Sequence, residues 1–505
     1  MAYRRYFRRF KSTVCLGRWM KRTCRSFARG VLLILFCCGT YTWFLTFTSN
    51  VAQKRFTAEL KESVRTSQLG RQETAIATTN RFPYINSHFI PRDSNSSDAI
   101  KSHRQRRNKK ELTRRTHVDR WKRANLITAR YQLLVYSAYW DERNLKAPCV
   151  RVIGATLTKG GPKVFCKLHY PEKEPFIVTA HKKVINEHWN LKYSACFFYC
   201  TVPKGTSKPS NVSISDNTLF RPSAVLVVHH NKEDNTSTRG NIALCVKPLH
   251  YSYDRVTWFI EFMEVYQILG VEYFLFYNHS MGQAVEKAIR TYQQLGIVSV
   301  LPWNLDIPSQ KEIRTEGLFA ALNDCLYRTM YLFQYVFMVD FDEFVIPSEN
   351  IAYHKLFTKI LAKKWGTFQP SSFVFQNSFF YLYWENDTTA YNVEPEKLPN
   401  NIPYLLTQYK TRRLKNLMKY GRRSKFAVVP ERALEVGNHL VWRVVPHSEN
   451  IKVPPSFAFL HHYRICEDGG YQCLKKPSVI DRTALYLNST LLSRVRNMCR
   501  RSFAD

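Results

Sequence analysis

"YVFMVDFDEF", residues 335–344, runs five mostly apolar residues into three acids, Asp340, Asp342 and Glu343. Alternate side chains of a strand share a face, so an Asp-x-Asp at the exit of a buried strand turns both carboxylates toward one cleft. A solvated turn would explain the triplet equally well, and the surrounding sequence decides between the two. A calcium loop is the weaker alternative, because "FVIPSEN" follows where further acids and a glycine are required.

Upstream, strand and helix patterns alternate. "NIALCVKPLHY" (241–251) reads as a buried strand, and "YDRVTWFIEFMEVYQILG" (253–270) has apolar residues at helical spacing, with Asp254 as N-cap and Gly270 just past the end. "VEYFLFYN" (271–278) is a strand, 282–294 a helix, "GIVSVLPW" (296–303) a strand and "IRTEGLFAALNDCLYRTMYLF" (313–333) a long helix leading into the acidic strand. Three such crossovers predict an α/β fold with a mostly parallel sheet covered by helices on both faces. Ligands of such sheets bind beyond the carboxyl ends of the strands, where Asp340 and Asp342 fall. Paired hard carboxylates suit Mn²⁺ or Mg²⁺, which need only one or two of them when a diphosphate supplies the other oxygens.

The rest of the chain suggests where this chemistry takes place. Its 505 residues carry a net charge of +36, unevenly spread: the first 30 residues hold ten Lys or Arg and no acid. "GVLLILFCCGTYTWFLTF" (30–47) is uncharged, close to the ~17-residue lower limit for spanning a bilayer, and preceded by Arg18, Lys21, Arg22, Arg25 and Arg29. The expected layout is a cytoplasmic tail (1–29), a transmembrane signal anchor (30–49), a basic linker (50–122), a β-rich accessory region (123–238) and a catalytic domain (239–505). A cleaved signal peptide fits less well, because the basic leader is long for one. Six N-x-S/T sequons, at Asn95, Asn211, Asn235, Asn278, Asn386 and Asn488, and nine of the thirteen Cys lie beyond the apolar segment, as expected of a lumenal body. Cys196 with Cys200 and Cys466 with Cys473 are near enough in sequence for small disulfide loops, and zinc is the alternative for "CFFYC" (196–200). A lumenal body leaves "KSHRQRRNKKELTRR" (101–115) as a solvated linker and argues against a nucleic-acid partner.

Within 241–465, "CVKPLHY", "WFIEFMEVYQILGVEYFLFYN", "ALNDCLYRTMYLFQYVFMVDFDEFVIP", "SSFVFQNSFF", "RSKFAVVPERALEVGNH" and "HHYR" occur in an order that resembles glycosyltransferase family 92. The resemblance implies a GT-A type, Rossmann-like fold and an inverting transfer of galactose from UDP-galactose to a glycan acceptor in the Golgi. It makes Asp340 and Asp342 the metal and diphosphate residues. A downstream His, with His439 preferred over His461 or His462, would complete the Mn²⁺ or Mg²⁺ shell. Inversion needs a general base; Glu385, after the next strand, is the candidate, with Asp387 its neighbour. Lys247, Pro248 and Asn278, at the ends of the first two strands, are candidate nucleotide contacts. Asp324 and Arg328 could reach the cleft from the preceding helix, although their i, i+4 spacing equally describes a plain salt bridge. Lys425 closes a stretch with eight Lys or Arg and no acid (408–425) that could hold the diphosphate. The competing class is a catalytically silent lumenal protein that binds glycans or acts as a scaffold.

Overall fold

A computed structural model describes residues 119–503, apart from 128–129, 144–147, 204, 220–222, 230–239, 364–367, 395–396, 399–401 and 467–469. These residues belong to one compact unit, Ser94–Asp505. The expected anchor at 30–49 lies outside the described residues, and among those described no helix is long and apolar enough to cross a membrane.

After a two-residue strand β1 (Lys122–Arg123) come β2 (Leu134–Asp141), β3 (Cys149–Leu157), β4 (Val164–His169), β5 (Phe176–Val184), β6 (Tyr193–Thr201), β7 (Asn211–Ser215) and β8 (Val225–His229). They pair in the order β2-β3-β6-β5-β4-β7-β8, and β8 returns to β2, closing a seven-stranded barrel without free edges. Val152, Leu168, Phe198, Ile214 and Leu226 are among the residues filling its interior. Cys200 is bonded to Cys166, and the expected Cys196–Cys200 loop does not form. Four residues along a strand separate these two cysteines by ~13 Å, well beyond disulfide reach. The Cys466–Cys473 pair does form, and Cys245–Cys325 is a third bridge.

The second half begins with the expected alternation: β9 (Gly240–Cys245), α1 (Val256–Ile268), β10 (Tyr273–Asn278), α2 (Gln283–Gln294), β11 (Val298–Pro302), α3 (Leu318–Thr329) and β12 (Phe333–Met338). Beyond these come β13 (Glu343–Pro347), α4 (Tyr353–Leu361), β14 (Gln369–Phe375), β15 (Asn377–Tyr381), α5 (Leu406–Tyr409), β16 (Arg412–Leu414) and β17 (Lys425–Val428). The chain ends with β18 (Ala433–Val436), β19 (Val441–Val444), β20 (Ser448–Lys452), β21 (Ala458–Arg464), β22 (Ser478–Ile480) and α6 (Asn488–Phe503).

The expected GT-A type, Rossmann-like, mostly parallel sheet with helices on both faces is not what forms. The central sheet is mixed, in the order β11-β10-β9-β12-β17-β14-β20, and a smaller mixed sheet, β13-β21-β15, stands beside it. The four strands joined by helical crossovers are parallel to their neighbours, but β17 is antiparallel to both β12 and β14. After β12 the chain turns sharply at the acids, and strands reached without a helical crossover are free to run either way. The two faces also differ. Residues such as Ile242 and Leu244 pack against α1, α2, α4 and α6, whereas Ala243 and Cys245 face α3 and the outer wall of the barrel through Tyr136, Tyr139, Ile153 and Phe197.

Local details depart from the sequence reading as well. Asp254 does not cap α1; its carboxylate accepts the Val285 N–H at 2.9 Å and so caps α2. The long helix expected at 313–333 begins only at Leu318, because Thr315, Glu316 and Gly317 all have positive φ (41°, 52° and 68°).

A buried polar seam joins barrel and sheet. The Asp324 carboxylate accepts from Ser137 Oγ (2.5 Å), Tyr139 OH (2.6 Å), Tyr277 OH (2.7 Å) and Arg328 Nε (2.9 Å). Arg328 also pairs with Asp119, which meets His229. Nearby, Asp141 holds Arg143 and Arg151, and Arg143 donates to the carbonyls of Pro430, Glu431 and Ala433. Burial alone would raise the Asp141 carboxyl, but the two guanidiniums bring it down to about 2. Asp119 is likewise brought to about 2 against its burial, by His229 and Arg328.

A carboxylate with a depressed folded-state pKa contributes stability above its unfolded value and loses it as pH falls through the folded value. Asp119 and Asp141 should therefore each lose about 2 kcal/mol between pH ~4 and ~2, visible as a falling urea midpoint. Asp324→Asn, which leaves Arg328 short of a buried counter-charge, should cost about 3–5 kcal/mol in equilibrium unfolding.

Candidate active site at the carboxyl ends of the strands

The acidic motif lies just beyond β12, in a turn closed by the Glu343 N–H on the Asp340 carbonyl at 3.1 Å. Asp340 and Asp342 are thus brought together by a turn and not by strand alternation. Phe341 secures it: its ring stacks on Tyr253 (centroids 5.0 Å apart, 10° between planes) and meets Phe259, Phe262 and Phe276.

Two lysines hold Asp340. Lys425 Nζ is 3.1 Å from one oxygen and Lys247 Nζ 3.4 Å from the other. Lys425 is 3% exposed and also reaches Glu343 (3.3 Å) and Asn438 Oδ1 (2.9 Å). Burial works against an ionised Asp340, yet Lys247 and Lys425 together keep its carboxyl far below the usual range. Lys425 in turn is pushed up, its own burial outweighed by Asp340 and Glu343. Glu343 lies beneath the turn, accepts the Asp340 N–H at 2.7 Å, and has its carboxyl raised by burial.

Asp342 stands apart. Its side chain is 41% exposed against 14% for Asp340, and its neighbour is His462 Nε2 at 3.4 Å. His462, on β21, is braced by Asn377 at 2.9 Å and faces Glu343 at 3.4 Å. His439 lies on the other side of Lys425, against Asn438 and the Ser424 carbonyl; burial and Lys425 lower its pKa to about 4, so it is neutral at ordinary pH. His461 is buried and stacked on Phe380.

Among the other candidates, Lys247 joins the cluster from the end of β9. The carbonyl of Pro248 accepts from His250, and Asn278 ends β10 with a buried Oδ1 that has no hydrogen-bond partner among the described residues. Asp324 and Arg328 belong to the seam, as the salt-bridge reading allowed. Asp387 accepts from Thr389, Thr411 and Arg482, which hold its carboxyl low against the effect of burial, while Glu385 is exposed on the same loop.

Sequence reasoning missed Glu316 and Asn438. Glu316 is a buried acid in the positive-φ turn before α3, with a carboxylate oxygen 3.7 Å from His279 Nε2. Only a backbone shape unreadable from "RTEG" puts it there.

The donor set limits what cation could fit. Asp342 and His462 offer one carboxylate and one imidazole side by side, whereas the Asp340 oxygens are taken by lysines. Among the described residues no group of three or more His, Cys, Asp or Glu is arranged to hold a metal ion. One carboxylate and one imidazole suit a cation whose remaining ligands are diphosphate oxygens.

Residues 240–496 match glycosyltransferase family 92. The beta-1,4-galactosyltransferase galt-1 of Caenorhabditis elegans is 21% identical over 348 residues, which cover 66% of this chain and 75% of that protein. The matched residues include every strand of the central sheet and both sides of the acidic turn, and the chain belongs to glycosyltransferase family 92, taking a sugar donor and a glycan acceptor.

Proposed function

We propose that this protein transfers galactose from UDP-galactose to a glycan with inversion at the anomeric carbon, in the Golgi lumen, using a divalent cation that binds together with the donor. The observation that carries the reading is the turn in which Asp340 is neutralised by Lys247 and Lys425 while Asp342 stays open beside His462. The galactosyltransferase similarity supports the donor, and three disulfides suit an oxidising lumen.

Lys425 is buried and committed to Asp340, so its task is to fix that carboxylate. Lys247 is about one-third exposed and would share its ammonium between Asp340 and a diphosphate oxygen. Asp342 and His462 would hold Mn²⁺ or Mg²⁺, which neutralises charge on the leaving diphosphate. Asn278, with its unpartnered acceptor at the strand ends, suits an imide N–H of the base. Glu385 is the proposed base for the acceptor hydroxyl, and Asp387 shapes its loop through Thr389, Thr411 and Arg482.

Asp342→Ala should reduce transfer by at least about a thousandfold while leaving the urea midpoint unchanged. Retained activity would remove Asp342 from the mechanism, and no turnover of UDP-galactose by the wild-type chain with Mn²⁺ would favour a glycan-binding protein without activity. Because the site lacks a cage, Mn²⁺ should bind at least about tenfold more tightly with UDP present than without it, by calorimetry. Equal affinities would contradict the co-binding.

A further inference from the structure

We propose that the barrel and the catalytic sheet jointly build an acceptor subsite, in which Trp189 and Trp442 form an indole platform for the apolar face of an acceptor pyranose. The inference rests on the donor reading above only in placing the reacting centre at the acidic turn.

Both tryptophans are open, Trp189 at 61% and Trp442 at 40% exposure. A single exposed apolar residue needs no explanation, but these two are fixed, and one carboxylate connects them. Glu187, in the barrel loop between β5 and β6, accepts the Trp442 indole N–H at 3.0 Å and the Asn438 backbone N–H at 3.3 Å through one oxygen. Its other oxygen is 3.4 Å from Arg314, whose guanidinium lies 3.8 Å from the centre of the Trp189 ring. One face of Trp189 is therefore covered and oriented, and Trp442 is held by its edge.

The arrangement has a structural cost, as binding sites often do. Glu187, Trp189 and Asn190 have positive φ (65°, 55° and 55°), and Arg314 immediately precedes the positive-φ turn at Thr315–Gly317. Gly437 admits the Trp442–Glu187 contact: a Cβ there would lie 2.0 Å from Trp442 Nε1 and 2.5 Å from Glu187 Oε1. The loop is anchored a second time where Lys183 and the Asn186 N–H reach the buried Glu435 on β18.

This rim is continuous with the reacting centre. Asn438, held by Glu187, accepts from Lys425, which pairs with Asp340. A pyranose with equatorial hydroxyls presents a face of axial C–H groups, which an electron-rich indole face attracts, and two preordered rings lose little entropy on binding. A sugar acceptor is therefore the occupant that suits both the surface and its position.

The test is saturation-transfer NMR on the full chain with UDP and a panel of methyl pyranosides, which reads contact without requiring turnover. The wild type should transfer saturation to the axial ring protons of at least one pyranoside; in Trp189→Ala and Trp442→Ala that transfer should fall about tenfold, while Trp442→Tyr keeps most of it and transfer to UDP is unchanged in all three. Absence of any pyranoside signal in the wild type, or its persistence in both Ala variants, overturns the proposal. Absence of the UDP signal instead overturns the donor reading.

Discussion

The buried amine of Lys425 organises the site. An ammonium with so little access to water persists only with counter-charges in contact, and it has two, Asp340 at 3.1 Å and Glu343 at 3.3 Å. The acids depend on it equally, because three carboxylates in one four-residue turn would repel one another. The geometry that joins them is the antiparallel pairing of β17 with β12, in which Met338 faces Phe426, so Lys425 comes level with the residues that follow the end of β12. A parallel neighbour would bring its first residue to the opposite edge of the sheet. The feature that breaks the expected parallel pattern is therefore the one that neutralises the acidic turn.

With Lys425 in place, three acids in one turn acquire three environments. Asp340 is held ionised by two lysines, Glu343 sits in the interior supporting the turn, and Asp342 keeps an open carboxylate next to an imidazole. Groups of one chemical type, pushed apart by their surroundings, can divide a task. In the proposed mechanism positioning would fall to Asp340 and Glu343, and exchange with ligand to Asp342.

The local alternation was legible. Four strands, three crossovers and the acidic exit could be read from apolar spacing, since each strand and helix buries a face whose period the sequence displays. The barrel closure was not, because it depends on one pairing between β8 and β2, strands about ninety residues apart, and short strands carry no signal for their partners. The Cys166–Cys200 bridge was missed for the same reason: it spans 34 residues and depends on the order of strands in the barrel. At the site, Lys425 stood out as part of a basic run, but its contact with Asp340 across 85 residues depends on strand direction. The sequence preferred His439 to His462, whereas it is His462 that lies beside Asp342 and His439 that lies against Asn438 and the Ser424 carbonyl. The register that sets Glu343 opposite His462 brings His462 to the turn.

The barrel follows from the composition of α3. Asn323, Asp324 and Arg328 are buried in a helix whose other residues are largely apolar, and an unsatisfied charge there would be costly. Asp324 finds two of its donors, Ser137 and Tyr139, on β2 of the barrel, and Arg328 finds Asp119 just ahead of β1. The residues that match the family begin at 240, after the barrel, so the matched segment supplies only some of the partners for its own helix, Tyr277 and Arg328 among them. The barrel and the sheet therefore share one buried polar seam, and the barrel loop at Glu187 reaches the rim of the acidic turn separately, through Asn438 and Trp442.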